Sequence, residues 1–61
     1  MGYYVIITDR NPREEDCEIF DRQQFQSLRE AKHYAISSVK WYGFASIYRT
    51  EDDECIDEFV A

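Results

Sequence analysis

Ser27-Leu28-Arg29-Glu30-Ala31-Lys32-His33-Tyr34-Ala35-Ile36-Ser37-Ser38-Val39-Lys40-Trp41-Tyr42-Gly43 is the stretch that decides how this chain is read. Ser27 and Glu30 have the S-x-x-E form of a capping box, with Ser27 as N-cap and Glu30 reaching back to its N–H. Leu28, Ala31, Ala35, Val39 and Tyr42 then recur at spacings of three or four, one apolar stripe of a 3.6-residue period. Gly43 stands just past the last of them, where a left-handed C-terminal cap belongs. Arg29, His33, Ser37 and Lys40 share the opposite face. The pattern predicts one amphipathic helix with both ends marked.

On either side of it the chain reads as paired strands. Residues 3–9 are β-branched and aromatic, and residues 17–21 suit a short second strand. Between them, Arg10-Asn11-Pro12-Arg13 is a turn signal, because Asn-Pro favours turn initiation and proline cannot join a central ladder. Beyond the helix, residues 44–50 and 55–60 read as strands around a solvated turn, Glu51-Asp52-Asp53-Glu54. The order ββαββ makes this an α+β domain, a four-stranded antiparallel sheet with the helix on one face. A right-handed crossover through the helix favours strand order 2-1-3-4, with the first and most apolar strand in the middle. One helix covers one face only, while Tyr3, Val5 and Ile7 alternate with Tyr4, Ile6 and Thr8. An open face carrying aromatic side chains is therefore expected, and such a face suits an interface.

The 61 residues allow a single domain, 1–61, with a small core; at this size roughly 60% of the unfolded chain's surface can be buried. A chain that is 44% hydrophobic and 16% aromatic, with one proline and two glycines, is not composed like a disordered one. No basic n-region precedes the short apolar run Tyr3–Ile7, so neither a signal segment nor a membrane span is expected, and the chain reads as cytoplasmic. In that compartment Cys17 and Cys55 are expected as small strand residues rather than as a disulfide. One histidine and no C-x-x-C pair give no basis for a zinc site, and no cofactor is expected.

Charge is segregated along the chain. Residues 1–21 hold six acids and two bases, net −4; residues 22–50 hold one acid and five bases, net +4; residues 51–61 hold six acids and no base, net −6. The overall charge of −6 opposes a nucleic acid or an anionic membrane as partner. Two acid clusters fall in the two hairpin turns: Glu14, Glu15 and Asp16 in one, and Glu51, Asp52, Asp53 and Glu54 in the other. A row of carboxylates at opposite ends of a sheet matches the charge and reach of a few phosphates, and acidic turns also keep small β proteins soluble. Trp41 and Tyr34, seven residues apart at the edge of the outward helix face, are the candidate apolar contacts. Trp41 has an alternative place as a partly buried cap on the core.

Catalytic motifs are missing. There is no G-x-S-x-G, P-loop, GxGxxG or H-E-x-x-H, and the 51–54 turn lacks the glycine and spaced oxygens of a calcium loop. Enzymatic activity is not expected. In layout, the helix start Ser27-Leu28-Arg29-Glu30-Ala31-Lys32-His33-Tyr34-Ala35, preceded by paired strands and followed by Gly43-Phe44-Ala45-Ser46-Ile47-Tyr48, resembles small phage and plasmid accessory proteins of ββαββ type, including some anti-CRISPR proteins. That resemblance implies a host nucleic-acid-handling complex as the class of partner. With the acid clusters, it gives the expectation of a protein-binding inhibitor that occupies a basic surface by charge mimicry. The alternatives are a homodimeric assembly protein associating through the open aromatic face, and a nucleic-acid binder using the Arg29/His33/Lys40 face or the Tyr-bearing sheet, as in RNA-binding sheets that stack bases on aromatics.

Overall fold

The computed structural model describes residues 2–9 and 18–60. Four strands and one helix follow in the order β1 (Tyr3–Thr8), β2 (Ile19–Phe25), α1 (Leu28–Tyr42), β3 (Phe44–Arg49) and β4 (Glu54–Val60). They form one antiparallel sheet of order β2-β1-β3-β4, with the helix on one face, as the crossover argument requires.

The helix begins and ends where its caps stand. Ser27 is extended (φ −112°, ψ 131°), and its Oγ accepts the Glu30 N–H at 3.5 Å. Only this half of the capping box forms, for the Glu30 carboxylate makes no return bond to Ser27 among the described residues. At the other end Gly43 takes φ 108°, and its N–H donates to the Val39 carbonyl at 3.0 Å. A Cβ on Gly43 would stand 3.1 Å from the Asp9 carbonyl oxygen, so both backbone angle and space call for glycine.

The second strand differs most from expectation. It was expected over 17–21 and runs Ile19–Phe25 instead, with Cys17 outside the described residues. Asp21-Arg22-Gln23-Gln24 is polar, and the strand is an edge strand whose burial is slight, so pairing with β1 rather than apolar content makes it a strand. A register shift opposite Ile7/Thr8 places one extra residue in β2 and breaks its alternation. At the far hairpin Glu54 is the first residue of β4 rather than the last of the turn.

Val5, Ile7, Ala45 and Ile47 of the two central strands are fully buried beneath Ala31, Ala35 and Val39 of α1. Tyr3, Phe25, Leu28, Tyr34 and Phe59 close the sides of this core. The opposite face is not the exposed aromatic surface expected from alternation. Tyr4 is 8% and Phe44 5% exposed, and Thr8 and Ser46 are fully buried. The Tyr4 and Tyr48 rings stack at 5.1 Å, 15° from parallel, and the Arg22 guanidinium lies 4.5 Å from the Tyr4 ring centre. No helix among the described residues is long and apolar enough to cross a membrane.

Candidate protein-binding surfaces

The β3–β4 hairpin turns tightly because its own acids hold it. Arg49, the last residue of β3, grips Asp52 with two parallel bonds, Nε to Oδ1 at 3.1 Å and Nη2 to Oδ2 at 2.8 Å. The same Nη2 reaches Glu54 Oε2 at 2.8 Å. Asp52 Oδ1 also accepts the Glu54 N–H at 3.2 Å, and the Asp53 N–H donates to the Arg49 carbonyl at 2.8 Å. Asp53 sits at φ 57°, a left-handed position that aspartate tolerates better than most residues. Its Oδ1 accepts the Tyr4 hydroxyl at 3.0 Å, which ties the turn to the central strand. On the same side Thr50 clasps Gly2, N–H to carbonyl oxygen at 3.0 Å and Gly2 N–H to Oγ1 at 3.2 Å.

These contacts set the electrostatics of the turn. The Arg49 hydrogen bonds hold the Asp52 carboxyl down to about 2, and Asp52 in turn keeps the guanidinium charged. Burial raises the Tyr4 hydroxyl, and its bond to Asp53 raises it further. Three of the four candidate acids, Asp52, Asp53 and Glu54, therefore have structural partners, while Glu51 is exposed. One arginine against four acids leaves the hairpin negative. The other candidate cluster, Glu14, Glu15 and Asp16, lies outside the described residues.

Tyr34 and Trp41 share a side of the helix but not an environment. Tyr34 is half-buried against Phe25, ring centres 5.4 Å apart, and its hydroxyl donates to Asp21 Oδ2 of β2. Burial and then that bond raise the Tyr34 hydroxyl, and the same bond leads the contacts that hold the Asp21 carboxyl low. Tyr34 is thus a strut between α1 and β2. Trp41 is 84% exposed, which removes the alternative of a tryptophan capping the core. It projects at the end of α1 beside Tyr42, whose ring lies 5.1 Å from that of Phe20. Phe20 and Tyr42, 46% and 47% exposed, were not foreseen as surface residues. Tyr42 belonged to the apolar helix stripe, and Phe20 is the extra residue at the irregularity in β2.

The structure keeps the two kinds of candidate apart. Gly43 and β3 follow the helix C-terminus, so Trp41 lies at one end of β3 and the acidic hairpin at the other, roughly 17 Å away at about 3.3 Å per residue. A depression of about 840 Å3 beside the helix, open to solvent, brings Phe25 and Tyr34 next to Arg29, His33 and Ile36. Cys55 is half-buried, its Sγ 3.6 Å from the Asp57 carbonyl oxygen. No cluster of three potential metal ligands occurs among the described residues. No protein-family model, curated protein or solved structure matches the chain.

Proposed function

We propose that this domain binds protein, and that its β3–β4 hairpin occupies a basic surface of a nucleic-acid-handling complex and so inhibits it. The observation that supports this reading is the double grip of Arg49 on Asp52 and Glu54, joined to the Tyr4–Asp53 bond. Carboxylates fixed before binding lose little conformational freedom when they meet their partner, which lowers the cost of association. The surplus negative charge speeds the encounter with a cationic groove and lets the hairpin compete there with phosphates. Trp41 offers an aromatic contact only to a partner broad enough to reach the far end of the sheet.

The test separates charge from fold. Glu51→Lys with Glu54→Gln removes two carboxylates, keeps an acceptor for Arg49 at position 54 and leaves Asp52 and Asp53 to hold the turn. Tagged domain retained on a column should capture a DNA- or RNA-binding complex from bacterial lysate. The complex should elute with duplex DNA, and with salt as the screening length falls from about 8 Å at 0.15 M to about 3 Å at 1 M. The double variant should melt as the unsubstituted chain does and capture nothing. Capture of the same complex by the double variant, or a captured partner indifferent to both DNA and salt, overturns the reading.

A further inference from the structure

Arg29, Lys32, His33 and Ile36 recur at spacings of three and four, so one outward stripe of α1 carries three basic side chains and an isoleucine. Phe25, the last residue of β2, and Tyr34 stand beside that stripe and line the open depression of about 840 Å3 together with it. The aromatic wall is fixed before any ligand arrives. The two rings lie 5.4 Å apart and both pack against the core, while the Tyr34 hydroxyl is tied to Asp21 Oδ2 of β2. Ile36 is 50% exposed and adds apolar surface that the fold itself does not cover.

The cations of this stripe differ from the others in the chain. Arg49 is held by Asp52 and Glu54, and Arg22 lies over the Tyr4 ring. Arg29 and Lys32 form no ion pair among the described residues, and Glu30 is the acid that lines the depression with them. At 0.15 M salt, charges more than about 8 Å away are largely screened, so the overall charge of the chain does not set the sign at this wall. A rigid aromatic side with a cationic rim fits a ligand that has a flat apolar part and an anionic group. A carboxylate brings one charge, whereas a phosphate monoester brings about −1.5 to −2 at pH 7 and so matches Arg29 and Lys32 together. The volume lies in the range of about 300–1,000 Å3 usual for small-molecule sites. We propose that this depression binds an aromatic phosphate monoester of mononucleotide size. Its ring system lies on the wall of Phe25, Tyr34 and Ile36, and its phosphate accepts from Arg29, Lys32 and His33. The acidic hairpin takes no part in the site.

Titration of the unsubstituted chain, followed by its amide shifts, tests this without any variant. Adenosine monophosphate should bind saturably, more tightly than about 1 mM, and should move residues 25–37 rather than 51–54. It should bind at least about tenfold more tightly than inorganic phosphate or adenosine, because each of these engages one half of the site. Phenyl phosphate, with its single small ring, should fall between them. Arg29→Ala should weaken adenosine monophosphate about tenfold. Lys40→Ala removes the same charge from α1 about 16 Å further along the helix, beyond the screening length, and should leave the affinity within about twofold. Both side chains are exposed, so both variants should keep the urea midpoint of the unsubstituted chain. The proposal fails if adenosine monophosphate binds no more tightly than inorganic phosphate, which marks a basic patch alone, or no more tightly than adenosine. Phenyl phosphate binding equally well overturns the assignment of size. Shifts that do not saturate, or Lys40→Ala weakening binding as much as Arg29→Ala, also overturn it.

Discussion

Under the helix the sheet presents Val5, Ile7, Ala45 and Ile47, side chains with no polar atom and no exposed surface. On the other side it presents Tyr4, Tyr48 and Arg22 in a stack, with Phe44, Thr8 and Ser46 packed low among them. The first face is covered by another layer. On the second, Tyr4 is shielded at ring level by neighbours in the sheet, for the Tyr48 ring lies against it and the Arg22 guanidinium lies over it. Stacking within the sheet is therefore one way for a small sheet to keep an aromatic ring out of water. Polar ends remain on that face, and through Tyr4 and Asp53 they connect it to the acidic hairpin.

The largest effect should come from the covered face. Ile47→Ala leaves a cavity beneath α1 and should cost about 2–5 kcal/mol. That is a large share of a stability on the order of 3–9 kcal/mol for a chain of this size, so chemical denaturation should show a much lower midpoint for the variant. For the stacked face a double-mutant cycle between Tyr4→Ala and Tyr48→Ala should give a coupling of about 0.5–1.5 kcal/mol, the value of a stacked pair beyond its buried area. A coupling near zero would remove the stack from the account of that face.

Ser46 tests the same face with opposite sign. Its Oγ is buried with no hydrogen-bond partner, so Ser46→Ala should be neutral or stabilising by up to about 1 kcal/mol in urea titration. Acid should then distinguish the faces without mutation. Asp52 ionises at about 2, below the ordinary carboxylate value, so its contribution is complete above about pH 4 and is lost as pH falls through about 2. Amide shifts of residues 49–54 should move across that interval before those of Val5 and Ile47. Trp41→Ala, on neither face and 84% exposed, should leave the urea midpoint within about 0.5 kcal/mol of the unsubstituted chain.

The helix was legible because both of its signals are local: Ser27 and Gly43 act within a turn of their own positions, and the apolar stripe between them has only one face to bury. Strand order was legible because it follows from chirality and from the apolar character of β1. The extent of β2 was not, for Arg22, Gln23 and Gln24 are strand residues through their pairing with Ile6, Val5 and Tyr4, which composition does not record. The candidate surface divides in the same way. Acids in the 51–54 turn can be counted in the sequence, but their capture by Arg49 needs the turn to close. The burial of Tyr4 depends on Tyr48 and Arg22 from other strands, so alternation alone overstated how much aromatic surface that face exposes.

Trp41 is the chain's single tryptophan, and it stands almost wholly in water while the chain is folded. Its fluorescence should already be that of a hydrated indole, so denaturation changes its surroundings little and tyrosine or circular dichroism must report folding. What weakens it as a folding probe makes it a clean optical reporter of contact. A blue shift in the emission of the folded chain means that something other than its own core has come to lie against residue 41.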